Sequence, residues 1–173
     1  MALYDRLLTF GTNMDPTNMT ANTSKYLGDS IDTTSGTYYK SGISTHTLNQ
    51  VGSLGDGTPV YWNVIVNTSF DTGTNRLIRF FLASSSSVST AGNLTGTPLR
   101  FVESHQFTVT STTNELEKGF AFSIALPTYE HDRYIQFGLV SSTSDSDESG
   151  RVSSYLSLIP ATTGKMYSEG QVW

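Results

Sequence analysis

A chain of 173 residues, 36% hydrophobic and 12% aromatic, is long enough for one packed domain and too short for two ordinary ones. Its formal charge of −5 argues against a nucleic-acid backbone as the main partner, because that binding is driven by clustered Lys and Arg. With no Cys, neither disulfides nor thiolate metal sites can hold the fold, and no apolar run nears the roughly 18 residues needed to span a bilayer.

Charged residues make up only 14% while Ser and Thr number 49, a balance that suits β-strands with hydroxyl-bearing outer faces. The start, Met1-Ala2-Leu3-Tyr4-Asp5-Arg6-Leu7-Leu8, carries an acid where a secretory leader has an apolar core. It reads as a cytosolically made, unprocessed chain. N-x-Ser/Thr sequons at Asn18, Asn22, Asn67 and Asn93 follow from the abundance of Ser and Thr.

In chain order, Leu3, Leu7 and Leu8 fall near one helical face, so the first ten residues read as a helical turn or an extended arm. Residues 13–22 are turn-rich, and Asp15-Pro16 discourages helix. A strand is expected at Ser24 to Leu27, ending at Gly28-Asp29. Residues 33–54 read as an inserted rim loop with a weak hairpin near Tyr38 to Thr45. Val60, Trp62, Val64 and Val66 then alternate as one apolar strand face. Asp71 to Asn75 is a hairpin-type loop. Ile78, Phe80 and Leu82 form the next apolar face, with Leu77 and Phe81 on the other side, which marks a central or interface strand. Ser84 to Thr90 reads as a mobile Ser-rich loop. Strands follow at Leu99 to Phe101, His105 to Thr110 with Phe107 and Val109 inward, Phe120 to Leu126, Tyr134 to Val140, and Val152 to Ile159. Phe120 to Leu126 and Tyr134 to Val140 are read as a pair across Pro127 to Asp132.

About eight short strands without a long helix predict an all-β fold, a jelly roll or two-sheet antiparallel β-sandwich. The expected organisation is an N-terminal arm at 1–23, the sandwich domain at 24–160, and a C-terminal tail at 161–173.

Catalytic and metal chemistry finds little purchase. His46, His105 and His131 lie on separate segments, and Glu103 with His105 is one pair rather than a ligand set. His131 beside Asp132 lacks any nucleophile elbow. Asp71, Gly73 and Asn75, like Asp145, Asp147 and Glu148, are fragments of calcium loops without the remaining ligands. Glu103, Glu115, Glu117 and Glu130 cannot be paired across a cleft from sequence. The expectation is a non-enzyme with no cofactor, no metal, no nucleic-acid partner and no membrane partner. Apolar residues near both termini suggest adhesion instead.

The segments Ala2-Leu3-Tyr4-Asp5-Arg6-Leu7-Leu8-Thr9-Phe10, Tyr26-Leu27-Gly28 and Gly55-Asp56-Gly57-Thr58-Pro59-Val60-Tyr61-Trp62 come first in order. Arg79-Phe80-Phe81-Leu82, Leu126-Pro127 and Arg133-Tyr134-Ile135-Gln136-Phe137 follow them. Taken in that order they resemble the capsid cement (decoration) proteins of tailed bacteriophages, in particular the Bordetella short-tailed phage type. The resemblance implies a jelly roll on the outer surface of an icosahedral head, clamping adjacent copies of the major capsid protein and pairing with itself as a homodimer. Segments 33–54 and 161–173 are longer than the family's pattern, which leaves a trimer open. Leu3, Tyr4, Leu7 and Phe10 are the expected capsid-docking residues, with Trp173 as a second anchor. The alternative is a carbohydrate-binding β-sandwich, lectin-like or from a phage fibre head, in which Tyr38, Tyr39 and Tyr61 stack on sugar rings.

Overall fold

The computed structural model describes residues 9–33, 37–40, 43–47, 60–126, 131–144, 150–157 and 160–161, the side chains of 37–40 and 43–47 excepted. The strands are β1 (Thr9–Met14), β2 (Ser24–Asp32), β3 (Thr37–Lys40), β4 (Ile43–Thr47), β5 (Tyr61–Thr68), β6 (Arg76–Ser85), β7 (Leu99–Glu103), β8 (Phe107–Val109), β9 (Ala121–Ala125), β10 (Tyr134–Ser141) and β11 (Arg151–Ser157). No helix occurs among the described residues.

Two antiparallel sheets pack face to face. The smaller has the order β1-β11-β5-β9, and the larger β4-β3-β2-β10-β6-β7, with β8 also paired to β6. If the β3–β4 hairpin and β8 are set aside, first pairs with last, β1 with β11, and then β2 with β10, β5 with β9, and β6 with β7. That nested pairing is a jelly roll: one long antiparallel ribbon rolled so that its partners alternate between two sheets. The β3–β4 hairpin widens the larger sheet beside β2, pairing Lys40 with Ile43 and Ile31 with Tyr38.

The inner faces follow the alternation in the sequence. Trp62, Val64 and Val66 from β5 meet Ile78, Phe80 and Leu82 from β6 and Ile135, Phe137 and Leu139 from β10, all at 1% exposure or less. Phe80 is the hub, with ring centroids 5.9 Å from Phe137, 5.8 Å from Phe122 and 5.8 Å from Phe107. Each such burial contributes about 1.5–3 kcal/mol before entropy is subtracted. Trp62 keeps its indole N–H satisfied by donating to Ser154 Oγ at 2.9 Å, so the ring can be fully buried.

Several expectations are corrected by pairing partners. Residues 9–14 are a sheet strand and not part of an arm, and two irregularities against β11 break the alternation that would have revealed them. The first strand does not stop at Gly28-Asp29 but runs to Asp32, with Gly28 at φ 68° in an irregularity opposite Gln136. A Cβ at Gly28 would lie 2.2 Å from the carbonyl oxygen of Phe10, so only glycine lets β1 cross β2 this closely.

Asp71 to Asn75 joins β5 in the smaller sheet to β6 in the larger, so it crosses the sandwich and is no hairpin. Likewise β9 and β10 belong to different sheets and do not pair. Their apolar faces meet through the core, which sequence alternation cannot distinguish from lying side by side.

The Ser-rich loop is ordered by its own hydroxyls. Ser84 and Ser85 close β6, Ser85 Oγ donates to Thr95 O at 2.6 Å, and Val88 bridges Leu94. β7 and β8 are one edge interrupted at Ser104. There the side chain replaces the ladder, its Oγ accepting from Phe80 N at 3.0 Å and donating to His105 O at 2.7 Å.

Candidate functional site

Among the expected docking residues only Phe10 lies within the described part, and it is wholly buried in the core. An aromatic ring held between the sheets cannot reach a partner, so Phe10 is corrected from docking residue to anchor. Leu3, Tyr4, Leu7 and Trp173 lie outside the described residues.

What the structure does fix is where the two terminal segments join the domain. Residues 1–8 lead into β1, an edge strand of the smaller sheet. Residues 162–173 follow Ala161, whose N–H donates to Asn63 Oδ1 at 2.6 Å on the outer side of that same sheet. Asn63 is fully buried there. Its amide donates to Tyr61 O at 3.1 Å and Ser157 Oγ at 3.0 Å, and its Oδ1 also accepts from Ser123 Oγ at 2.5 Å. The bonds to Asn63 and Ser123 hold the root of the tail against β5 and β9.

Several titratable candidates are engaged in structural bonds. Glu103 binds Arg100 at 2.9 Å and Arg79 at 3.4 Å, while the neighbouring His105 ring packs on Phe107 at 4.0 Å. Asp71 Oδ1 accepts from Gly73 N at 3.0 Å, closing an Asx turn. Glu115 accepts from Thr108 N. His131 Nδ1 contacts Asp132 O at 3.0 Å, and its ring lies 5.6 Å from Phe101. No group of three or more potential metal ligands occurs among the described residues. Glu130 and residues 145–149 lie outside them, as do the side chains of Tyr38, Tyr39 and His46. Tyr61 is half-buried.

The charged turn before β10 resolves into an ion pair. The Arg133 guanidinium grips Asp32 through both carboxylate oxygens, at 3.1 and 3.0 Å from Nε and 2.7 Å from Nη2, and Asp32 is buried. Thr33 adds two bonds to the Arg133 carbonyl, each 2.8 Å. This forked pair ties the end of β2 to the start of β10.

One surface cluster was not anticipated. On the outer face of the larger sheet Phe81 lies over Gly138, where a Cβ would come within 2.5 Å of the ring. Tyr26 meets Phe81 edge-on at 5.6 Å, and the Arg100 guanidinium caps it at 4.4 Å from the centroid. Arg100 also donates to Ser24 Oγ at 2.7 Å. Burial raises the pKa of the Tyr26 hydroxyl above its ordinary value, opposed by the charge of Arg100. The only sequence signal was Phe81 and Leu77 on the second face of an otherwise core strand.

Comparison with protein-family models, curated proteins and solved structures finds no match to this chain. The phage resemblance therefore stands on the residues alone.

Proposed function

We propose that this chain is a non-enzymatic cement protein of a tailed-phage capsid, binding the outer surface of the head and clamping adjacent major capsid protein subunits. Self-association as a homodimer belongs to the same reading. The observation that carries it is the common origin of the two terminal segments. One leaves the edge and the other the outer side of the four-stranded sheet, each from a root held by burial or hydrogen bonds. The segments bearing Leu3, Tyr4, Leu7 and Trp173 thus join the domain at one and the same sheet. A jelly roll is a fold shared by viral capsid and lectin domains, so the fold agrees with the reading without carrying it.

The physical role is linkage. A subunit that binds the assembled shell and not the free capsid protein stabilises the shell by about 2.7 kcal/mol per site at a concentration 100 times Kd. Repetition over symmetry-related sites makes a modest contact sufficient.

The test is co-sedimentation of purified protein with expanded heads. Full-length protein should bind saturably, and deletion of residues 2–8 should weaken binding at least tenfold while the domain melts cooperatively as before. The cut must stop at Leu8, because removing Phe10 would open the core. Failure of the full-length chain to bind sinks the cement reading; equal binding by the truncated chain sinks the N-terminal arm.

A further inference from the structure

We infer that the outer face of the larger sheet carries a carboxylate-binding site formed by Arg100, Arg79 and the Tyr26 hydroxyl. The site is independent of the cement reading, since it lies on the sheet that neither terminal root occupies.

Arg100 is fixed on three sides, stacked 4.4 Å over Phe81, bonded to Ser24 Oγ at 2.7 Å and to Glu103 Oε1 at 2.9 Å. Its position is set before any ligand arrives, so little rotamer entropy is lost on binding. Those bonds use one hydrogen on each terminal nitrogen of a group with five N–H donors, and the side chain stays 31% exposed. Uncommitted donors therefore face water from a fixed plane.

The neighbours define what fits. Arg79, 46% exposed, shares Glu103 with Arg100, so two cations and one carboxylate leave a local excess of one positive charge on an acidic chain. A monoanion matches that excess, whereas a phosphate dianion would be under-compensated. Tyr26 is half-buried against Phe81, and its hydroxyl has no hydrogen-bond partner among the described residues. It is close enough to Arg100 to sense its charge. A planar carboxylate edge can take a forked pair of N–H bonds from arginine, with the tyrosine hydroxyl as a further donor.

Such a carboxylate can arrive on an acidic sugar or on a protein side chain, and the probes separate the two. The full chain, labelled for NMR, is titrated with sodium acetate and with sodium glucuronate, with glucose and sodium chloride as controls. Saturable shifts at Tyr26, Arg79 and Arg100 are expected with both carboxylates and not with the controls. Glucuronate binding about tenfold more tightly than acetate assigns the site to acidic sugars; equal affinity assigns it to an isolated carboxylate. Tyr26→Phe should keep the spectrum of a folded chain and weaken acetate about fivefold, the loss of one hydrogen bond. Arg79→Gln, at an exposed position, should weaken it by at least as much. No saturable shift with either carboxylate, an equal response to chloride, or unaltered affinity in both variants would overturn the assignment.

Discussion

Phe80 and Phe81 are consecutive residues of one strand, both with no exposed surface, and they are buried by different means. Phe80 points between the sheets and touches other rings: Phe70, Phe107, Phe122 and Phe137. Phe81 points outward and is buried by a missing side chain at Gly138, by Tyr26 set edge-on, and by a charged cap, Arg100. The inner residue is held by a core of aromatic and aliphatic groups that cannot move independently. The outer one sits in a smaller cluster with Ala83, Leu94, Tyr134 and Val140, closed by long side chains whose polar ends stay partly in water. Equal burial therefore does not mean equal consequence, because what remains when the ring is removed depends on whether the surroundings can close.

The difference can be broken from either side. Phe80→Ala should cost about 3–5 kcal/mol, since its rigid ring neighbours cannot fill the gap, and chemical denaturation would measure it. Phe81→Ala should cost less, toward about 2–3 kcal/mol, because Arg100 and Tyr26 can settle onto the sheet. Equal losses would show that the outer cluster is as rigid as the core.

Gly138→Ala inserts a Cβ 2.5 Å from Phe81 Cζ and 2.8 Å from Lys25 O; the ring can swing away but the backbone cannot, so about 1–3 kcal/mol should be lost.

Gln136→Leu acts at the other end of the outer face. Its amide donates to Gly28 O at 2.8 Å and Asn93 Oδ1 at 3.2 Å, and its Oε1 accepts from Leu94 N at 3.1 Å, pinning the Ser-rich loop over the sheet. Stranding those groups should cost about 1–3 kcal/mol, with amide exchange quickening first at Leu94.

The smallest effect is alkaline. Because the folded pKa of Tyr26 lies above 10.0, the native state holds the proton more tightly than the unfolded chain. Its contribution to stability is complete below pH 10.0 and is lost as pH rises through the folded value. Tyr26→Phe should remove that part of the alkaline decline, read from melting curves above pH 10, and change little at neutral pH.

Legibility followed periodicity. β5, β6, β9 and β10 could be read because each carries an alternating apolar face, although Phe81, Ala83, Gln136 and Val140 on the opposite faces are buried as well. β1 was hidden because its register against β11 shifts twice, so Phe10 stood alone in polar sequence and looked like part of a docking arm. β2 was read short because Gly28-Asp29 resembles a turn, whereas there it widens a strand locally. The charged residues before β10 suggested surface chemistry, yet Arg133 answers a buried carboxylate 101 positions away. Beyond the second apolar face at Phe81, the Arg100 cluster gave no local sign, since Tyr26, Phe81, Arg100 and Gly138 come from four strands.

Alternating Val, Ile, Leu, Phe and Trp are enough to set the class, an all-β sandwich with apolar inner faces. Period-2 burial needs only the chain's own geometry and the cost of leaving apolar groups in water. Which strands neighbour one another, that the connections after β5 and β9 cross between sheets, and which polar residues meet a partner emerge only in the folded chain. Pairing depends on contacts between residues far apart in sequence, and alternation fixes the face of a strand without fixing its neighbour.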